Sequence, residues 1–139
     1  MSDSYDLQRF VDAQAPVYAR VVEELRQGRK QSHWMWFIFP QIEGLGSSPM
    51  AQRFAIGSRA EAAAYLGHPI LGPRLRECTR LVTAVQDRSI EEILGFPDDL
   101  KFRSSMTLFA AVAADSKDFA AALDKFYGGE ADPATLGRL

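Results

Sequence analysis

Cysteine and histidine are both scarce in this sequence. The 139 residues include one cysteine, Cys78, and two histidines, His33 and His68. One thiol cannot form an internal disulfide or a cysteine-based zinc site, and two histidines without a recognisable spacing to carboxylates do not make a metal site. We therefore predict no metal ion and no cofactor, and expect an intracellular, reducing environment.

Long apolar runs and excess positive charge are also absent. Apolar runs such as Trp34 to Phe39 are far shorter than the roughly 20 residues that span a bilayer. The N-terminus lacks the basic and then apolar layout of a signal peptide. With a formal net charge of -2 the chain has no overall field that attracts a polyanion. We expect a soluble, cytoplasmic protein with no membrane association and no general nucleic-acid binding.

Helical signals occur along the whole chain. A composition of 47% hydrophobic and 24% charged residues, without repeats or linkers, indicates one domain over residues 1–139. Apolar residues recur at helical spacing through the first 28 residues, with a possible break at Pro16. The pattern predicts a compact all-α array of about six to eight short helices.

Serine and aspartate residues mark where these helices begin. Ser58 with Glu61 and Ser89 with Glu92 match the spacing of a capping box. Further predicted starts are at Ser48, near Pro69, at Asp98, at Ser116 and at Asp132. Glycines predict several ends, with Gly95 after the helix from Ser89 and Gly128 after the helix from Ser116.

The segment Trp34 to Phe39 is ambiguous, because a short aromatic run suits a buried strand as well as a buried helix. No hairpin signal or alternating partner strand occurs elsewhere in the chain. We therefore interpret the segment as a buried helix.

The decapeptide Ser-His-Trp-Met-Trp-Phe-Ile-Phe-Pro-Gln, residues 32 to 41, resembles the microbial family known as domain of unknown function 1810. The resemblance extends over nearly the whole chain, including Asp6 to Phe10, Gly28 to Lys30, Gly44 to Ser48, Tyr65 to Pro69 and Lys101 to Phe109. The resemblance implies an all-helical fold but does not imply a particular activity. Members are often labelled calpastatin, but calpastatin inhibitory regions are disordered and polar, whereas this composition predicts a packed core.

Three polar clusters are candidates for binding an anion. In the first, Arg29 can fork onto a phosphate or carboxylate, with Lys30 and Ser32 beside it. The alternative is that the two cations complement the C-terminal dipole of the preceding helix.

The second cluster is the turn that contains Gly44, Gly46, Ser47 and Ser48, where backbone amides ahead of Pro49 could cradle a phosphate. It lacks the lysine of a Walker loop. The alternative, which the sequence favours, is an ordinary capped turn.

The third cluster places Lys101 and Ser105 four residues apart on one helical face, with Ser104 adjacent. Serine pairs are disfavoured inside helices. Either a ligand or hydrogen bonds to preceding carbonyls would account for them.

Aromatic residues between the first two clusters could form a wall for a planar ring. Trp34 and Trp36 point in different directions on a helix, so at most one of them needs to face a ligand. Core packing is the alternative for both. A pocket near residues 29–48 would also include Gln41.

These features together favour a phosphorylated, ring-bearing ligand. The leading hypothesis is binding, and potentially hydrolysis, of a nucleotide-like small molecule such as an ADP-ribose derivative. His33 is the candidate acid-base catalyst, with Glu43 or Asp6 as partner, whereas Cys78 and His68 are interpreted as structural. The alternative is a non-enzymatic interaction module or a homo-oligomer, with the aromatic segment against a partner chain.

Overall fold

Ten helices account for 61% of residues 4–139, the part of the chain that the computed structural model describes, and no strand occurs there. The six helices of seven residues or longer are α1 (Gln8–Gln14), α2 (Tyr18–Arg26), α5 (Arg59–Gly67), α6 (Leu71–Ala84), α8 (Asp98–Val112) and α9 (Lys117–Tyr127). The four short helices are α3 (Met35–Ile38), α4 (Pro49–Arg53), α7 (Ile90–Leu94) and α10 (Pro133–Leu136). The prediction of a compact all-α domain is confirmed.

Most predicted helix starts are also confirmed. Ser48 begins α4 by accepting the backbone N–H of Ala51 at 3.1 Å, with proline at the first helical position. Ser89 and Glu92 form a complete capping box at α7, and Gly95, at a φ of 84°, ends that helix. Before α6, the Nδ1 atom of His68 accepts the backbone N–H groups of Ile70 and Leu71.

Two predicted caps are wrong in detail. Ser58 accepts the N–H of Glu61, but the Glu61 carboxylate does not return to Ser58 and accepts instead from Arg9 and from the backbone of Gly57. Ser116 stands before α9 without a side-chain cap. Asp115 takes that role and accepts the N–H of Lys117 at 3.0 Å.

The N-terminal region and the aromatic segment largely follow the sequence pattern. The break near Pro16 is present between α1 and α2, and residues 1–3 lie outside the described part of the chain. Only Met35–Ile38 of the aromatic segment is helical, and the segment is mostly buried, with Trp36 half-exposed. The tight turn into this helix leaves Trp34 outside it, 1% exposed.

Helix α8 lies at the centre of the fold and packs against α5, α7, α9 and α10. Its Phe102 ring meets Phe39 edge to face at 4.9 Å, and Phe109 packs against Tyr65 at 5.4 Å. These contacts join the aromatic segment and α5 to one core. Val112, the last residue of α8, is only half-buried.

Candidate functional site

The loop after α2 is organised by Glu24, which is 6% exposed. Its carboxylate accepts four hydrogen bonds: from the backbone N–H of Gln31 and Ser32, from the Ser32 hydroxyl at 2.6 Å, and from the Trp34 indole N–H at 2.9 Å. Burial by itself would raise the pKa of Glu24, but hydrogen bonds led by that of Ser32 outweigh it and the pKa is lowered. Ser32 and Trp34 are therefore engaged inside the protein.

The side chains of Arg29 and His33 point to solvent on this loop. Both residues are exposed, and within residues 4–139 neither side chain forms a hydrogen bond or an ion pair. Neither residue lines the cavities described below. The backbone N–H of Arg29 bonds to the carbonyl of Glu24 at 3.0 Å, which closes the end of α2.

The two basic segments of the sequence meet at Asp98. Lys30 lies 2.9 Å from one carboxylate oxygen, and Lys101 lies 3.7 Å from the other. The Lys30 side chain is 9% exposed and its Nζ is 5.2 Å from the centre of the Trp34 ring, whereas the Lys101 side chain is 30% exposed. Lys30 is thus a structural cation, and Lys101 is the one that remains open to solvent.

The serine pair of α8 divides between two environments. Ser104 donates to the Asp132 carboxylate at 2.7 Å, and Asp132 also accepts the hydroxyl of Thr135 at 2.6 Å. Burial opposes ionisation of Asp132, but the hydrogen bonds from Thr135 and Ser104 prevail and lower its pKa. Ser105 is completely buried, and its Oγ has no hydrogen-bond partner in the described chain. It does not line the cavities next to Lys101.

Eight of the predicted ligand-binding residues surround a cleft made of two adjoining cavities. The Trp36 cavity, of about 310 Å³, is lined by residues that include Trp36, Gln41, Glu43, Gly44, Gly46 and Gln52. The Lys101 cavity, of about 510 Å³, is more open and is lined by residues that include Gln41, Gly46, Ser47, Ser48, Lys101 and Ser104. Both volumes are within the usual range for small-molecule sites. The two cavities share Gln41, Gly46 and Ala51.

The local backbone positions the residues of this cleft. Ile42 and Ile56 form an isolated parallel bridge. The N–H of Ile56 donates to the backbone carbonyl of Gln41 at 2.9 Å, and the N–H of Glu43 donates to the backbone carbonyl of Ile56 at 2.8 Å. This pairing holds the segment that carries Gln41 and Glu43 against the core. Gly44, at a φ of 99°, then turns the chain away in a conformation that favours glycine.

The C-terminal turn supplies the other side of the cleft. Arg103 donates to the carbonyls of Glu130 and Ala131, and Ser104 fixes Asp132, so that α10 is held on α8. The guanidinium of Arg138 then lies directly against Gly44, where a Cβ would meet it at 2.3 Å. The loop that begins at Gly44 and the end of the chain are therefore in contact.

Sequence reasoning missed four side chains that shape this region: Glu24, Asp98, Asp132 and Arg138. The spacing of Asp98 and Lys101, three residues apart on a helix, was a local signal for their pairing. Glu24 and Arg138 had no such signal, because their contacts depend on how distant segments pack.

The part of the chain that the structure describes contains no cluster of metal-binding side chains and no helix that could span a membrane. Across residues 4–139, no three His, Cys, Asp or Glu side chains are grouped so that they could hold a metal ion. In the same range no helix is both long enough and apolar enough to cross a bilayer.

Comparisons with known proteins agree with the sequence resemblance. A comparison with curated proteins finds no significant match. The crystal structure of the conserved hypothetical protein Rv1873 from Mycobacterium tuberculosis matches with a TM-score of 0.97 and 64% sequence identity, covering 99% of this chain and 98% of that one. The family described as "Protein of unknown function (DUF1810)" matches residues 4–139. With nearly its whole length matched, the chain belongs to the DUF1810 family.

Proposed function

We propose that this protein binds a small phosphorylated, ring-bearing molecule, of the nucleotide or ADP-ribose type, in the cleft formed by the Trp36 and Lys101 cavities. The observation that supports it is the way the two cavities adjoin. A half-exposed indole lines one, a solvent-accessible lysine lines the other, and Gln41 lines both. An aromatic face and a cation on one continuous surface suit a ligand with both a planar ring and a phosphate.

Lys101 is the group best suited to bind the phosphate. The contact between its ammonium and Asp98 is long, at 3.7 Å, and Asp98 is already paired with Lys30 at 2.9 Å. An anion therefore competes for Lys101 against a weak existing contact. Ser47 and Ser48 line the same cavity. The Ser48 hydroxyl accepts a backbone N–H in its capping role and keeps its own O–H to donate.

Trp36 is the group best suited to stack on the ring. Trp34, the other tryptophan, is buried and hydrogen-bonded to Glu24, so its face is not accessible to a ligand. The Lys101 ammonium lies 5.8 Å from the centre of the Trp36 ring, which brings the two recognition groups within reach of one small molecule. Base–aromatic stacking contributes about 1 to 3 kcal/mol.

Binding is proposed without catalysis. His33, the candidate catalyst, lines neither cavity and its side chain has no hydrogen-bond partner in residues 4–139. A general base must be within hydrogen-bond reach of the group that it deprotonates. Nothing in the geometry of the cleft brings His33 to a ligand bound there.

Titration of the full chain with ADP-ribose, AMP and inorganic phosphate tests the proposal. Tryptophan fluorescence should be quenched by the two ring-bearing probes, and Trp36→Phe should abolish the quenching because Trp34 is inaccessible. Lys101→Ala should weaken binding of all three probes about tenfold or more, since it removes a charge-assisted contact to phosphate.

Lys117→Ala is the matched control. It removes the same charge from an exposed position on α9 that lines neither cavity, and binding should not change. Absence of binding at millimolar concentrations of every probe, or equal binding by Lys101→Ala and the wild-type chain, would contradict the proposal.

One observation favours the alternative of an interaction module or homo-oligomer. Phe96, in the turn before α8, is 72% exposed, and Leu100, in the first turn of α8, is 51% exposed, which is a high exposure for large apolar side chains. Light scattering after size exclusion tests this alternative. A dimer that Phe96→Ser converts to a monomer would support it, and a wild-type monomer at high micromolar concentration would exclude the homo-oligomer.

A further inference from the structure

The two cavities of the proposed binding cleft differ in charge. Glu43, which is exposed and forms no ion pair within the described residues, lines the Trp36 cavity, and no lysine or arginine lines it, although the Arg138 guanidinium lies against Gly44. Lys101 and Asp132 line the other cavity, where the Asp132 carboxylate already accepts the hydroxyls of Ser104 and Thr135. Among the residues that line the two cavities, only Lys101 is a cation. A phosphate is repelled by a carboxylate and attracted by an ammonium, so the phosphate of a bound ligand belongs in the Lys101 cavity.

The polar groups of the Trp36 cavity also specify what kind of group fits there. An ionised carboxylate only accepts hydrogen bonds, so Glu43 requires a ligand group that donates. One N–H of the Gln52 side-chain amide donates to the carbonyl of Ser47 at 2.9 Å, which leaves the amide oxygen as an acceptor and the other N–H as a donor. The side-chain amide of Gln41, at the boundary of the two cavities, forms no hydrogen bond in residues 4–139. Among the side chains that line the Trp36 cavity, Glu43 is therefore the one that accepts hydrogen bonds without donating any.

Backbone hydrogen bonds hold the main chain of Gln41 and Glu43 in place. Gln41 and Glu43 flank the bridge between Ile42 and Ile56. The carbonyl of Gln41 accepts the N–H of Ile56, and the N–H of Glu43 donates to the carbonyl of Ile56. The Cα atoms of the two residues therefore cannot shift independently of the core.

We infer that the ligand is a nucleotide whose base carries an amino group, bound with its phosphate at Lys101 and with the donor edge of its ring at Glu43. The inference rests on the proposed function and adds the orientation and the class of base. Ribose hydroxyls are also donors, but Trp36 lines the same cavity as Glu43 and offers a flat apolar face that a sugar would not use as well as a base. The ring is therefore the better occupant.

Isothermal titration calorimetry of the full chain with four probes tests this orientation. The probes are AMP, purine riboside 5′-monophosphate, which lacks the amino group, ribose 5-phosphate, which lacks the base, and inorganic phosphate. AMP should bind about tenfold or more tightly than the purine riboside analogue, because the analogue leaves an acceptor without its donor. Glu43→Gln should weaken the binding of AMP about tenfold. It should not weaken the binding of inorganic phosphate, because removing a negative charge cannot increase the repulsion of phosphate.

Glu23→Gln is the control, since it removes an equivalent charge from an exposed position on α2 and should leave all four affinities unchanged. Equal affinity for AMP and the purine riboside analogue, or for AMP and ribose 5-phosphate, would overturn the inference while the proposed function stands. Uniform weakening of every probe by Glu43→Gln would assign Glu43 a structural role and would also overturn it. Absence of binding by all four probes would remove the proposed function together with the inference.

Discussion

The indole N–H of Trp34 donates to the carboxylate of Glu24 at 2.9 Å, and both residues are buried. This contact joins the aromatic segment, Trp34 to Phe39, to α2, which ends eight residues before Trp34. It directs the Trp34 ring into the core and leaves Trp36 as the tryptophan that lines the cleft. Which tryptophan is buried and which one lines the cleft therefore depends on the side chain of Glu24.

Glu24→Ala should lower the free energy of unfolding by about 2 to 3 kcal/mol. The substitution leaves the buried indole N–H of Trp34 and two backbone N–H groups without their acceptor, and each unsatisfied buried donor is costly. Urea unfolding followed by circular dichroism measures the change. Glu23→Ala, at the exposed neighbouring position, is the control and should stay within about 0.5 kcal/mol of wild type.

Stability should decrease at acidic pH in a way that depends on Glu24. The pKa of this carboxyl is lower in the folded chain than its ordinary value, so between the two values the unfolded chain binds more protons. The contribution of Glu24 is complete above the unfolded-state value of about 4.3 and is lost as the pH falls through the folded-state value. Urea unfolding between pH 6 and about pH 3 should show a smaller decline for Glu24→Gln. An identical decline in both proteins would assign the acid sensitivity to other groups, such as Asp132, whose pKa is also lowered.

Gly72→Ala should be strongly destabilising, by about 3 kcal/mol or more, because an added Cβ would lie 2.1 Å from the backbone carbonyl oxygen of Leu66. Backbone atoms cannot rotate away, so α5 and α6 would have to separate. Gly67→Ala is the matched control: no atom lies within 4 Å of its added Cβ, and alanine favours helix over glycine. Thermal unfolding should show a large decrease in Tm for the first variant and none for the second.

Lys30 and Lys101 should differ in their effect on stability although both contact Asp98. Lys30→Ala removes a nearly buried ion pair and a contact with the Trp34 ring, and should cost about 2 kcal/mol or more. Lys101→Ala removes a longer, more exposed contact and should cost less than about 1 kcal/mol. Denaturant unfolding of both variants and of Asp98→Asn measures the difference. If both lysine variants were equally destabilised, Lys101 would be a structural residue, and its proposed role in binding would lose its physical basis.

The helices could be predicted from the sequence because their signals are local. Ser48 and Ser89 cap helices within three residues of themselves, and Gly95 ends α7 through its own backbone conformation. Glu61 shows where local reasoning stops. Its position after Ser58 predicted a capping box, but Arg9, 52 residues away, captures its carboxylate. A cap that depends on one side chain can be displaced by a tertiary contact.

Part of the candidate site was also accessible from the sequence. The aromatic residues, the glycine-bearing turn and Lys101 were identified as groups that could bind a phosphorylated ring, and the structure brings Trp36, Gln41, Gly44, Ser48 and Lys101 to one cleft. Arg29 and Ser105 were chosen for the same chemistry, but one points to solvent and the other is completely buried. Residue type indicated which chemistry was available, but it did not indicate which side chains face the same space.

The all-α fold, most helix boundaries and the family could be read from the chain alone, because they depend on local periodicity, on capping groups and on a specific decapeptide. The bond between Glu24 and Trp34, the pairing of Lys30 with Asp98 and the exposure of Lys101 became visible only in the folded protein. A charged or polar side chain pairs with whichever group the packing of distant helices brings within about 3 Å, and that distance is not encoded in its sequence neighbours.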